Sequence, residues 1–125
     1  TDMFIDLWNK GENYAYSITL NTTGKAIGSI DIHNIDYKNH SAEIGYWLSE
    51  SHNGKGYMAE AVNLIENQSF SSGLNRLCIQ VETDNIPSCK VAERADYKFE
   101  GTHKQKLLKY GSFRDTNCYA KLKNA

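Results

Sequence analysis

Between Ser49 and Val62 the chain reads SESHNGKGYMAEAV, and within it Gly54 and Gly56 bracket Lys55 just ahead of residues at helical spacing. A strand end, a glycine loop and a helix start in immediate succession form an arrangement that can bind an anion. The first N–H groups of a helix lack intrahelical partners, the helix dipole favours negative charge beside them, and glycines let backbone approach phosphate oxygens without an intervening Cβ. Lys55 either adds a charge-assisted contact or points to solvent. The spacing matches neither GxxxxGK[ST] nor GxGxxG, because no third glycine follows Gly56. On local pattern alone the loop fits both a phosphate cradle and a plain flexible connection. Cys78, Cys89 and Cys118 make an odd number without CxxC spacing, so neither a disulfide framework nor a zinc site is expected. They read as small apolar residues of a reduced protein, and no metal is expected.

The elements around the loop follow from periodicity. From Tyr14 to Glu50, AYSITLN, AIGSIDIHNID and SAEIGYWLSE alternate β-branched or aromatic residues with polar ones, separated by turn residues at 21–25 and by YKNH. This predicts a three-stranded antiparallel meander. The period changes in 56–71, where Met58, Ala61, Val62, Ile65 and Ser69/Phe70 mark one buried helical face that Ser71, Ser72 and Gly73 end. RLCIQVET at 76–83 is the next strand, so strand, helix and strand predict a parallel crossover. Asn85 caps a second, short helix that tolerates Pro87 in its first turn, and the segments around YGS close the chain as an antiparallel hairpin. With 125 residues, 40% of them apolar, the chain fits a single domain over 1–125. A balance of 14 Lys+Arg against 15 Asp+Glu lacks the basic excess of nucleic-acid binding, and no run approaches a bilayer-spanning length. The expected protein is soluble and cytoplasmic, with neither nucleic-acid nor membrane partners.

Two motifs in order, EIGYWL leading into NGKGY with Glu60 and Ala61, and then Asn85, Ser88, Val91, Glu93 and Arg94, carry a resemblance over about Tyr14 to Lys121. The chain resembles the GCN5-related N-acetyltransferases, and within them the branch that acetylates ribosomal-protein N-termini. The resemblance implies an α/β fold with a central mixed, mostly antiparallel sheet, one splayed parallel strand pair and flanking helices. The family's opening strand and helices are then missing or reduced to MFIDLWNKGENY, as in a chain truncated at its amino-terminal end. The chain departs from the pattern at Asn53, where the family has glutamine or arginine, and at Met58, where it has a small residue. Asp96 and Tyr97 replace a glycine–phenylalanine pair, and Ala92 stands where many members place a donor tyrosine.

The resemblance implies acetyl-CoA as co-substrate and a primary amine, in a small molecule or at a protein N-terminus, as acceptor. Trp47, Leu48 and Ser49 would offer backbone groups to the pantetheine arm, and Asn53, Gly54, Lys55, Gly56, Tyr57 and Met58 would hold the pyrophosphate. Asn85 would contact the arm from the second helix. Direct attack of a neutral amine on the thioester needs a base and a proton donor for the departing thiolate. Ser88 is the expected donor, and Glu43, on the strand face opposite Ile44 and Tyr46, is the expected base. His33 and His52 are further bases, more simply read as incidental; Ser88 also fits a capping role and Glu43 a solvated one. The alternative reading is a CoA-binding module of the same fold without turnover. An exposed sheet edge would favour pairing with a second copy as a homodimer.

Overall fold

A computed structural model describes residues 2–124. Seven strands form one sheet in the order β1-β2-β3-β4-β5-β7-β6. They are β1 (Met3–Lys10), β2 (Tyr14–Leu20), β3 (Ala26–Asp36), β4 (Ser41–Leu48), β5 (Arg76–Glu82), β6 (Lys98–Lys109) and β7 (Ser112–Leu122), with helices α1 (Tyr57–Ser71) and α2 (Ile86–Arg94) between β4, β5 and β6. All neighbours are antiparallel except β4 and β5, which run parallel across the α1 crossover. The meander, the crossover, the second helix and the closing hairpin therefore lie where periodicity predicts them. At the amino-terminal end the strand, expected to be missing or reduced, is present in full. MFIDLWNK is a full edge strand paired to β2 with Met3 opposite Leu20, and no α-helix precedes Tyr57 among the described residues.

One face of the sheet is apolar and lies under the helices. Ile18, Ile30, Ile44, Leu77 and Ile79 are fully buried there, against Ala61, Val62 and Ile65 of α1 and Ala92 of α2. Each such large side chain contributes roughly 1.5–3 kcal/mol on burial. The opposite face carries the alternate residues of the same strands, among them Asp31, His33, Glu43 and Trp47, whose side chain is 64% exposed. Alternation within each strand is thus what sorts core from chemistry. Cys78 and Cys118 are buried free thiols on that second face, and Cys89 is buried beneath α2.

Helix α2 ends on Asp96, whose φ of +67° is left-handed. The Asp96 and Tyr97 N–H groups donate to the carbonyls of Glu93 and Ala92, both at 3.0 Å, which closes the helix by a reversal that glycine adopts more readily. Replacing Asp96 by glycine is expected to raise unfolding free energy by about 0.5–1 kcal/mol, since it removes the Cβ clash of that conformation. Urea denaturation of the two proteins measures this, as a shift in midpoint at unchanged slope.

Candidate active site

Strands β4 and β5 pair only from Ser41 opposite Arg76 to Ile44 opposite Ile79. Beyond those residues they part, and the β5-facing backbone groups of residues 45–48 have no strand partner. Each strand then feeds a helix start at the same end of the sheet, so the wedge opens at the carboxyl ends of parallel strands, where α/β sheets bind ligands. Tyr46 spans the wedge on the helix side, its hydroxyl donating to the Ser88 carbonyl at 2.8 Å. Burial pushes the Tyr46 phenol well up, so it remains a protonated donor.

On the β4 arm, Ser49 donates its N–H to Ile27 at 2.8 Å, and its hydroxyl lies 2.8 Å from His52 Nδ1 within a 3-10 turn, Glu50–His52. Gly54 and Gly56 follow with φ of +80° and +82°. A Cβ at either would meet nothing within 4 Å, so positive φ rather than crowding requires glycine here. Gly56 caps α1, whose first intrahelical bond runs from Glu60 N–H to Gly56 at 3.1 Å, leaving the N–H groups of Tyr57, Met58 and Ala59 for a ligand. Met58 is 2% exposed and its side chain belongs to the core. The bulky residue at this position is thereby accommodated, and what it offers a ligand is its backbone.

On the β5 arm, Asn85 caps α2, its Oδ1 accepting from Ser88 N–H at 3.3 Å. Neither this bond nor that from Tyr46 uses the Ser88 hydroxyl. Three cavities with shared walls follow the wedge. The first, about 470 Å³, is lined by Glu43, Trp47, Asn85 and Ser88, so the two expected catalytic side chains face one space. The second, about 220 Å³, shares Trp47, Asn85 and Ser88 with it and adds Leu48, Asn53 and Met58. The third, about 290 Å³, carries Asn53, Gly54, Gly56, Tyr57 and Met58 on to Lys90 and Arg94. Ser49 and Lys55 line none of the three. The sequence marked Arg94 only as part of the second motif and did not mark Lys90 at all; their four-residue spacing on a helix begun by Asn85 was the available signal, since it puts two cations on one face. Neither has a carboxylate partner among the described residues.

The far wall of the largest cavity comes from β6. Its pairing with β7 shifts between His103 and Leu107, with Gln105 at φ +52°. Asp115 pins that bulge, accepting from Gln105 N–H at 2.8 Å and from Lys104 at 3.3 Å. Lys106 and Lys109 reach the cavity, and Lys109 pairs with Glu82 at 2.8 Å. Lys104, Lys106 and Lys109 are all exposed on this strand, and the bulge sets them to different uses, Lys104 pairing with Asp115 while the other two line the cavity. His33 also lines this cavity, whereas His52 is held in its loop. In register, His33 stands opposite Glu43 and Asp31 opposite Gly45. His33 Nδ1 lies 2.8 Å from Asp31 Oδ2, and its Nε2 lies 3.9 Å from Glu43 Oε1. Asn34 Nδ2 donates to the other Glu43 oxygen at 2.8 Å. A side chain at Gly45 would come within 2.6 Å of Asp31 Oδ1, so glycine leaves room for this pair. The hydrogen bond to Asp31, aided by the charges of Asp31 and Glu43 and opposed by burial, holds the His33 imidazole above its ordinary value.

The GNAT acetyltransferase domain model matches residues 1–98, and the chain belongs to that family. It is 36% identical over 110 residues to the ribosomal-protein-serine acetyltransferase of Escherichia coli (strain K12), covering 87% of this chain and 62% of that protein. Solved structures agree in fold. The ribosomal alpha-N-protein acetyltransferase RimL in complex with coenzyme A matches with a TM-score of 0.82 and 31% identity, over 90% of this chain and 63% of that one. The microcin self-immunity acetyltransferase MccE in complex with acetyl-CoA and AMP matches with a TM-score of 0.83 and 29% identity, over 89% and 61%. The chain thus spans somewhat less than two thirds of the length of these relatives.

Because Asp31 raises the His33 pKa, the protonated imidazole stabilises the fold. That contribution is complete below the unfolded value near 6.5 and is lost as pH rises through the folded one. In Asp31→Asn the imidazole is expected to titrate at lower pH, and the stability difference from wild type to be larger at pH 5.5 than at pH 8.5. Proton NMR of the ring and urea titrations at the two pH values measure both.

Proposed function

We propose that the protein is an acetyl-CoA-dependent N-acetyltransferase that moves an acetyl group to a primary amine, with a protein N-terminus as the favoured acceptor class. The observation that carries this reading is the wedge itself, because it brings a glycine loop, an opened strand end, a serine hydroxyl and a carboxylate onto one connected groove. The residues fit a thioester carrier with a phosphate-rich tail. The free N–H groups of Tyr57, Met58 and Ala59, with Lys90 and Arg94, suit pyrophosphate and phosphate oxygens. The backbone groups that face β5 beyond Ile44, next to Trp47 and Leu48, suit an amide-bearing arm, and Asn85 flanks it. Ser49 supports the loop, its N–H being committed to Ile27.

At the reacting end, Glu43 binds the acceptor's ammonium and supplies the basic side of the site. Loss of a proton to the basic side of the site leaves a neutral amine that attacks the thioester carbonyl; as the carbon–sulfur bond breaks, the Ser88 hydroxyl protonates the departing thiolate and regains a proton from the nitrogen, which becomes the neutral amide. The helix-side bond from Tyr46 to the Ser88 carbonyl keeps that serine at the mouth of the wedge. The E. coli relative's name, a ribosomal-protein-serine acetyltransferase, supports an N-terminal serine as the acceptor. Three free cysteines and the protein-acetylating relative support a cytoplasmic site of action, and one sheet over one apolar cluster supports a single acetyltransferase-like domain. The homodimer reading rests on the two exposed edges, β1 with Trp8 at 65% exposure and β6 with Leu107 and Leu108 exposed, and sedimentation velocity tests it.

Purified protein is expected to release thiol from acetyl-CoA in the presence of a short peptide with a free N-terminal serine, and not with the N-acetylated peptide. Ser88→Ala and Glu43→Gln should each lower kcat by roughly 10²-fold or more. Both should keep the upward thermal shift given by CoA. A thermal shift by CoA without thiol release from any peptide or amine would identify a binding module instead.

A further inference from the structure

We propose that His33 is the final acceptor of the amine's proton, with Asp31 as the positioning residue that fixes its tautomer and Glu43 sharing the incoming ammonium. The inference rests on the acetyltransferase reading above and assigns a residue that no part of that reading requires. Cross-strand register places the three side chains in line on the open face of the sheet. Asp31 Oδ2 accepts the hydrogen bond from Nδ1–H at 2.8 Å, which leaves Nε2 as the ring's free lone pair on a residue that lines the cavity shared with Ser88. Nε2 and Glu43 Oε1 are 3.9 Å apart, too far for a direct hydrogen bond. That gap suits a third group, since an ammonium nitrogen can stand at about 2.8 Å from both atoms and donate one N–H to each. Asn34 holds the other Glu43 oxygen, so the carboxylate cannot swing to close the gap without losing that bond.

The chemistry of the acceptor favours imidazole over a carboxylate as the resting place of the proton. An α-ammonium has a pKa near 7.7–8.0, and proton transfer is best matched by a base of similar affinity, which imidazole near 6.5 approaches and a free glutamate near 4.3 does not. Asp31 strengthens the match by raising the imidazole. The proton moves from the ammonium nitrogen to Nε2, the freed lone pair attacks the thioester carbonyl, and the imidazolium then lies between two carboxylates. The groups facing His33 are Asp31 on β3 and Glu43 on β4, with Glu82 of β5 and Lys106 and Lys109 of β6 lining the same cavity, and Lys109 is paired to Glu82. The site is active with His33 neutral, so kcat falls as pH drops through the raised imidazole value.

The test uses the serine-initiated peptide at saturating acetyl-CoA. His33→Gln is expected to lower kcat by roughly 10²-fold while leaving the KM for acetyl-CoA unchanged, and free imidazole should restore part of the rate to His33→Ala. Asp31→Asn should move the acidic limb of the kcat profile to lower pH. Independently of turnover, saturating peptide should lower the His33 pKa read by NMR, because a bound cation disfavours protonation, and the N-acetylated peptide should leave it in place. His33→Gln within twofold of wild-type kcat would overturn the proposal, as would a His33 titration that the peptide does not move. A wild type that binds CoA but transfers nothing would overturn the acetyltransferase reading instead, and the NMR titration would still decide whether His33 receives an amine.

Discussion

Everything in this molecule that resembles machinery depends on where β4 and β5 stop pairing. Four residues of parallel ladder, from Ser41 to Ile44, hold the two strands, and their side chains Ala42, Ile44, Leu77 and Ile79 are sealed beneath α1. All four side chains are buried, so the anchor belongs to the core itself. Past it, backbone groups that would otherwise pair must find other partners, since an unpaired buried amide is costly. On the other side the β3 ladder runs on, with Ser49 bonding Ile27, and Gly28 lets β3 approach closely, since a Cβ there would collide with the Trp47 carbonyl. The backbone between these points is left for a ligand.

The same ladder decides what the two faces of the sheet do. A side-chain period of two means that once Ile44 is fixed inward, Glu43 and Gly45 must face outward, and antiparallel register then places His33 and Asp31 beside them. A shift of one residue between β3 and β4 would bury the acidic residues and expose the isoleucines. The polar cluster and the apolar core are therefore one constraint seen from two sides. Tyr46, inward like Ile44, ties the strand to α2 through Ser88, so the core face also sets the position of the serine.

Much of this was legible in the chain. The change of period at Gly56, the glycine loop and the Asn85 cap gave helices and crossover directly, because each is a local signal with a local cause. The parts that escaped are those set by pairing between distant segments. His33 looked incidental as a lone histidine on a strand; only its register with Glu43, and the two-residue step to Asp31 on the same face, make it a member of a cluster. The bulge at Gln105 depends on Asp115 from the next strand, so nothing local showed that Lys106 and Lys109 line the cavity while Lys104 and Lys109 form ion pairs. MFIDLWNK was read as what is left of the family's opening strand and helices. It is a strand all the same, since β2 offers an open edge and Met3 a place in the core.

The glycine loop changes meaning once its conformation is known. Space was the first reason to expect glycine at positions 54 and 56, yet a side chain at either would meet no neighbour, and the requirement is left-handed backbone. Such a loop leads directly into the first N–H groups of α1, with Met58 anchored in the core beneath them. The cations that complement those groups, Lys90 and Arg94, belong to α2 on the opposite arm of the wedge. A phosphate-bearing ligand held there would bridge the two arms that the sheet has let go, and its binding energy would add to the stability of the pair wherever it prefers the folded state. The opening that exposes the site and the ligand that closes it are, on this geometry, two halves of one structural requirement.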